Sequence, residues 1–258
     1  TMKGELMKNK LLSTTAIYFS KFFSVDSAKA AKGLSFGALN GINYMAPEKR
    51  NGLGVNLCAG SSAGCRALCL GHYSGQAAMV SDIENDTNSV RLSRQRKARY
   101  WIENPTAFLA EAEYHIDKLV NKARNMNLEP VIRMNGSTDI PFEDHGLIQN
   151  FPDVQFVDYT KLYKRFKNRP VNLSLTFSRS ETNEVTARKL LERGENVAVV
   201  FLGKFPDEYL GAPVISGDEH DLRHRDPRRD GGYIIGLTPK GRKAKRGDVF
   251  GFIVREAA

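Results

Sequence analysis

The chain has 258 residues, 41% of them hydrophobic and 26% charged, with 38 Lys and Arg against 29 Asp and Glu for a formal net charge of +9. That length and balance suit one globular domain with a real core and exclude a disordered, collagen-like or low-complexity chain. No apolar run approaches the roughly 18 residues that a membrane-spanning helix needs, so no membrane is expected, while the positive excess favours a polyanionic partner.

In chain order, residues 1–30 read as an irregular extension. Lys8 and Lys10 ahead of Leu11–Phe19 outline a secretory leader, but Lys21 and the many hydroxyls argue against one. Gly41–Pro47 reads as a strand, and residues 48–75 as a long Gly/Ser/Cys-rich loop of the kind that is functional or metal-organised. Helices are predicted over Ile83–Ile102 and Pro105–Met126, the second with Asn104 as N-cap and Phe108, Ala112, Ile116, Leu119 and Ala123 at helical spacing. From residue 130 short apolar runs each end in a polar cluster: 130–134, 154–157, 172–177, 196–201 and 213–216, with a helix over 181–192 stopped by Gly194. Such runs predict a mostly parallel sheet covered by helices, an open or incomplete (β/α) barrel, with a crevice outside the carboxyl ends of the strands. Residues 233–238 and 249–254 read as a C-terminal hairpin around a basic loop, 239–249.

Cys58, Cys65 and Cys69 are the three cysteines of the chain. An odd, clustered set fits a reducing compartment and a local metal or redox role better than a disulfide scaffold. If Cys65 opens a helical turn, Cys69 lies on the same face one turn later, and nearby glycines let Cys58 fold back toward both. Thiolates select zinc or an iron-sulfur cluster over hard cations. A closed structural zinc site needs a fourth ligand, which His72 could supply. A 4Fe-4S cluster held by three cysteines keeps one iron open, the arrangement by which radical S-adenosylmethionine enzymes bind their cofactor. Three cysteines right after the first strand resemble that layout, although the spacing of six and three residues departs from the usual three and two. Three buried thiols without metal are the third reading.

On the cluster reading, Asn135, Ser137 and Asp139 hold the polar ends of S-adenosylmethionine. Arg179, Glu181, Asp218 and His220 then face the substrate, a nucleotide or nucleic-acid base from which a reductively generated radical takes hydrogen.

The order Tyr44-Met45-Ala46-Pro47, Asn56-Leu57-Cys58, Gly64-Cys65-Arg66-Ala67-Leu68-Cys69-Leu70, Pro130 to Asp139, Phe151 to Lys161, Leu175 to Glu181 and Gly217 to Arg223 resembles a family of bacteriophage and plasmid proteins similar to the phage gene product 88 group. The likeness covers roughly residues 30 to 255. It implies a phage-type source and a host-cytoplasmic setting, and it brings no activity with it.

Basic residues fall in three runs, and Arg94, Arg96, Lys97, Lys164, Arg165, Lys240, Arg242, Lys243, Lys245 and Arg246 are the candidate nucleic-acid contacts. Two runs carry aromatics, which can stack on bases while the cations neutralise phosphates. The alternative function is therefore a nucleic-acid-binding protein, either a metal-dependent nuclease or a replication factor, with a structural zinc at the cysteines. Asp218, Glu219, His220, Asp221, His224 and Asp226 could supply its hard-metal ligands, or simply pair with the arginines among them. A non-enzymatic inhibitor of a host enzyme is the remaining possibility.

Overall fold

The computed structural model describes residues 17–26, 28–248 and 250–255, so the leader-like stretch through residue 16 and Val249 lie outside the described residues. The sheet is built from β1 (Ala38–Ile42), β2 (Glu129–Arg133), β3 (Gln155–Thr160), β4 (Leu173–Ser178), β5 (Val197–Leu202), β6 (Glu208–Tyr209), β7 (Ala212–Ser216), β8 (Ile234–Leu237) and β9 (Val254–Arg255). Its order is 1-2-3-4-5-8-7-6, with β9 pairing β5 off that path. Every pairing of named strands is parallel except the β6–β7 hairpin. The sheet runs from β1 at one edge to β6 at the other and does not close, so the open α/β architecture expected from the sequence is the one observed.

Alternation along each strand sorts the side chains onto two faces. Leu39, Ile132, Phe156, Leu175, Phe177, Val197, Val199 and Phe201 enter the main core. Helices α1 (Ala28–Ser35), α4 (Ser89–Glu103), α5 (Pro105–Asn125) and α6 (Glu184–Glu192) flank the sheet, and Phe108, Ala112, Ile116, Leu119 and Ala123 of α5 are buried as their spacing predicts. On the opposite face Ala38, Val131 and Val157 pack on Leu222 from the β7–β8 connection.

Three sequence expectations need correction. The extension 1–30 is not irregular to its end, because α1 begins at Ala28 in an Ala/Lys-rich stretch of strong helix formers. The first strand lies at Ala38–Ile42 rather than 41–47, and it stops where its register partner β2 ends, at Ile42 opposite Arg133. The C-terminal hairpin is not formed among the described residues: β8 lies between β5 and β7, parallel to both, and β9 pairs separately with β5. The run Ile234-Ile235-Gly236 is buried, as an interior parallel strand requires.

The helix expected from Ile83 starts only at Ser89. Asn88 caps it by accepting from Arg91 N at 2.9 Å, while Asp82 turns the preceding chain by accepting from the amides of Glu84 and Asn85. No described helix is long and apolar enough to cross a membrane.

Candidate active site

The loops after β1, β2, β3, β7 and β8 converge, with the ends of β4 and β5, on a cavity of about 230 Å³. Cys58, Cys65 and Cys69 all open onto it, together with Asn135, Ser137, Asp139, Lys161, Ser178 and Asp218. Pro47, Leu68, Val200, Leu237, Phe252 and Ile253 supply its apolar wall.

The cysteine loop is held against the sheet from several sides. Cys65 lies in the short helix α2 (Ala63–Ala67), whose N-cap Ser62 accepts from Cys65 N at 3.2 Å. The helix breaks after Ala67, and Cys69 instead caps α3 (Leu70–Tyr73), so the two cysteines do not share one continuous helical face. The Glu181 carboxylate accepts from Ser62 Oγ and from Gly64 N, both at 2.7 Å. Gly64 has no room for a side chain, since a Cβ there would lie 2.6 Å from Cβ of Phe252. A Cβ on Gly71 would lie 2.5 Å from Cβ of Ser137. Arg94 donates to Gly71 O and stacks over Tyr44, its guanidinium 4.8 Å from the ring centre.

Burial pushes the Cys58 thiol up to about 12, with Cys69 and Cys65 adding to the rise, while a 3.3 Å hydrogen bond from Glu48 N opposes it. Burial likewise raises Cys69 to about 11, with Cys65 acting in the same direction and Arg50 against it. The thiols therefore share an electrostatic environment that a cation would reverse. Among the described residues no group of three or more His, Cys, Asp or Glu side chains is placed to hold a metal ion, so the thiols form a cavity wall and not a finished cage.

His72 does not join them. Its Nε2 lies 3.1 Å from Nη1 of Arg50 and 3.2 Å from Ile83 O. Burial, then Arg50 and Arg91, lower its pKa to about 4.

Several residues expected to meet a cofactor are engaged in the protein's own bonds. Asn135 donates to Ile140 O and Asp158 and accepts from Thr138 Oγ1 and Ile140 N. Ser137 Oγ donates to Met45 O at 2.6 Å. Asp139 accepts from Thr160 Oγ1, Lys161 N and Arg165. Their side chains shape the β2 and β3 loops.

The residues expected to face a substrate are dispersed. Arg179 reaches the carbonyls of Gly251 and Phe252, Glu181 holds the cysteine loop, and His220 packs edge-on against Phe36 at 4.9 Å. Asp218 alone of the four lines the cavity, paired with Lys240 at 2.8 Å. The acidic and histidine side chains beyond it join local pairs, His224 with Glu129 and Asp226 with Arg223, as the ion-pairing alternative expects.

The basic runs divide. Lys97 is buried, donates to Phe22 O, and has its pKa lowered by desolvation to about 7. Arg165 is also buried, with Asp139, Glu143 and Asp158 around it. Neither can reach a nucleic acid, which corrects both assignments. Lys243 pairs with Glu84 at 2.9 Å, whereas Arg96, Lys164, Arg242, Lys245 and Arg246 are exposed. Three of these exposed cations lie on or just after α7 (Arg242–Lys245), a helix whose Ala244 lines the cavity.

Sequence reasoning passed over Arg133 and Ser178 as members of a site. The signal for Ser178 was its place at the end of β4, on the face that the register shares with Tyr159 of β3.

Glu181→Gln is expected to loosen the cysteine loop without unfolding the sheet. Hydrogen bonds to a charged acceptor contribute about 1.5–3 kcal/mol each, so Cys65 and Cys69 should react with a thiol reagent at least about tenfold faster. Unchanged labelling rates would show that Glu181 does not hold the loop.

An open, mostly parallel α/β sheet with a crevice at the carboxyl ends of its strands defines the class in which the strand-end loops supply a binding or reaction site. Within it the chain belongs to the gene product 88 family, whose family model matches residues 10–253. No curated protein and no solved structure shows a significant match to the chain.

Proposed function

We propose that the cavity is the reaction site of an iron-sulfur enzyme of radical S-adenosylmethionine-like character, acting on a nucleotide or nucleic acid. The observation that carries the reading is that all three thiols open on the one strand-end cavity while His72 is committed elsewhere. A structural zinc site calls for four protein ligands, whereas three thiolates suit a cluster with one iron open to a small molecule.

Cys58, Cys65 and Cys69 would be the ligands, with Arg50 near Cys69 offsetting the negative charge of the thiolates. When bound, the cluster and S-adenosylmethionine would supply one-electron chemistry. The protein's own part is to fix the loop through Glu181, to exclude water with Leu68, Phe252 and Ile253, and to orient a substrate beside the thiols.

Anaerobic purification should give a brown protein with about four irons and four sulfides per chain. A colourless protein that holds zinc and no iron would overturn the reading. It would leave the nucleic-acid-binding alternative, for which the exposed Arg242, Lys245 and Arg246 supply a surface.

A further inference from the structure

The cavity's second wall is built from side chains that the cysteines do not involve. Tyr159 and Ser178 lie on the same face of adjacent parallel strands, and Lys161 follows Tyr159 by one alternation. Lys161 Nζ donates to Ser178 Oγ at 2.7 Å and sits 5.6 Å from the centre of the Phe252 ring. No carboxylate among the described residues pairs with it. Tyr159 Oη is buried with Arg223, Asp221 and Asp226 as charged neighbours, and the Arg133 guanidinium stacks 4.7 Å from the centre of its ring, so Tyr159 backs this wall.

The carboxylates lining the same cavity do not cancel this wall. Asp139 is satisfied by Arg165, Thr160 and the Lys161 amide, and Asp218 is paired with Lys240. Glu48 belongs to the cysteine side, where its amide bonds the Cys58 sulfur. An ammonium group without a carboxylate partner and the serine hydroxyl it bonds, side by side at the cavity, make a donor pair suited to an anion.

We propose that Lys161 and Ser178 form an oxyanion seat, which takes the carboxylate or phosphate of a small molecule bound in the cavity. This rests on the reading of the cavity as a reaction site and not on the metal in it. Lys161 and Ser178 line the cavity together with the apolar Leu68, Val200, Leu237 and Ile253. The ligand this favours has one anionic end and an apolar or aromatic body.

The test is calorimetric titration of the full chain with inorganic pyrophosphate and, separately, with glutarate, with iron measured on every sample. At least one probe is expected to bind, and which one does so identifies the phosphate or the carboxylate as the anion. Lys161→Gln should weaken that binding at least about tenfold, and Ser178→Ala several-fold. The triple change R242Q/K245Q/R246Q should leave it within about twofold, because those cations lie on the exposed helix. Absence of binding by both probes, or equal affinity in wild type and Lys161→Gln, would overturn the seat. If Lys161→Gln loses its folded circular dichroism spectrum, Ser178→Ala decides by the same criterion. Anion binding that survives in iron-free Cys58→Ser protein separates the two proposals, since the seat would then stand whatever the metal proves to be.

Discussion

Arg165→Met is expected to be the most damaging single substitution in the molecule, costing about 3–5 kcal/mol of stability. The Arg165 side chain is 1% exposed and forks onto Glu143 at 2.6 and 3.0 Å, Asp139 at 3.0 Å and Asp158 at 3.1 Å. Burial opposes its charge, but Asp158, Glu143 and Asp139 outweigh that and hold its pKa above the ordinary arginine value. Asp158 is raised to about 6 by its own burial even with Arg165 beside it. Without the guanidinium, three carboxylates would face each other in a dry pocket. The folded pKa of Asp158 would then rise further above its unfolded value, and the folded state would hold more protons than the unfolded state. The deficit should therefore grow as pH rises through that range and shrink toward pH 4. Urea unfolding of wild type and variant at pH 4 and pH 7 measures it. A loss under about 1 kcal/mol at neutral pH would show that the cluster does not depend on Arg165.

The second large effect concerns metal retention. On the proposed iron-sulfur reading, Cys58→Ser, Cys65→Ser and Cys69→Ser are each expected to lower bound iron at least about tenfold, since changes outside the ligand shell alone cost about 10–100-fold. His72→Gln should leave iron unchanged, because the imidazole faces Arg50 and Ile83. If His72→Gln loses metal as the cysteine variants do, the centre has a fourth protein ligand and the open-site reading fails. Iron content and visible absorbance of the four proteins, purified in parallel without oxygen, decide between these outcomes.

The parts of the fold that the sequence made legible are those in which one local pattern has one solution. The 105–125 helix carries a proline at its first position and an apolar stripe, and all five stripe residues are buried. The apolar runs at β2 to β5 could only be buried parallel strands. Long-range placement was not legible. Nothing local to Ile234–Leu237 says that it enters between β5 and an earlier strand, and a nearby turn-rich loop suggested a hairpin instead.

The site was legible in its cysteines and less so in its polar residues. Asn135, Ser137 and Asp139 end a strand as ligand-binding residues would, but their partners are backbone groups and side chains of neighbouring loops. Arg165 sits in a run of Lys and Arg that reads as a surface, and only the three distant carboxylates reveal it as an interior residue. Glu181 follows a strand and reads as a residue that faces a substrate, yet it grips the cysteine loop.

The late insertion of β8 also has a consequence in time. As the chain leaves the ribosome, β1 to β5 can add to the sheet one after another, each beside its predecessor. The β6–β7 hairpin has no place to dock until β8 has been made, because β8 alone joins it to β5. Pairings of that kind are slow, since the intervening chain must be closed into a loop first. Leu237, Lys240, Ala244 and Ile253 of the cavity wall all follow from β8 onward. The cavity is thus completed only after β8 has joined the sheet, and until then the three thiols have no wall opposite them.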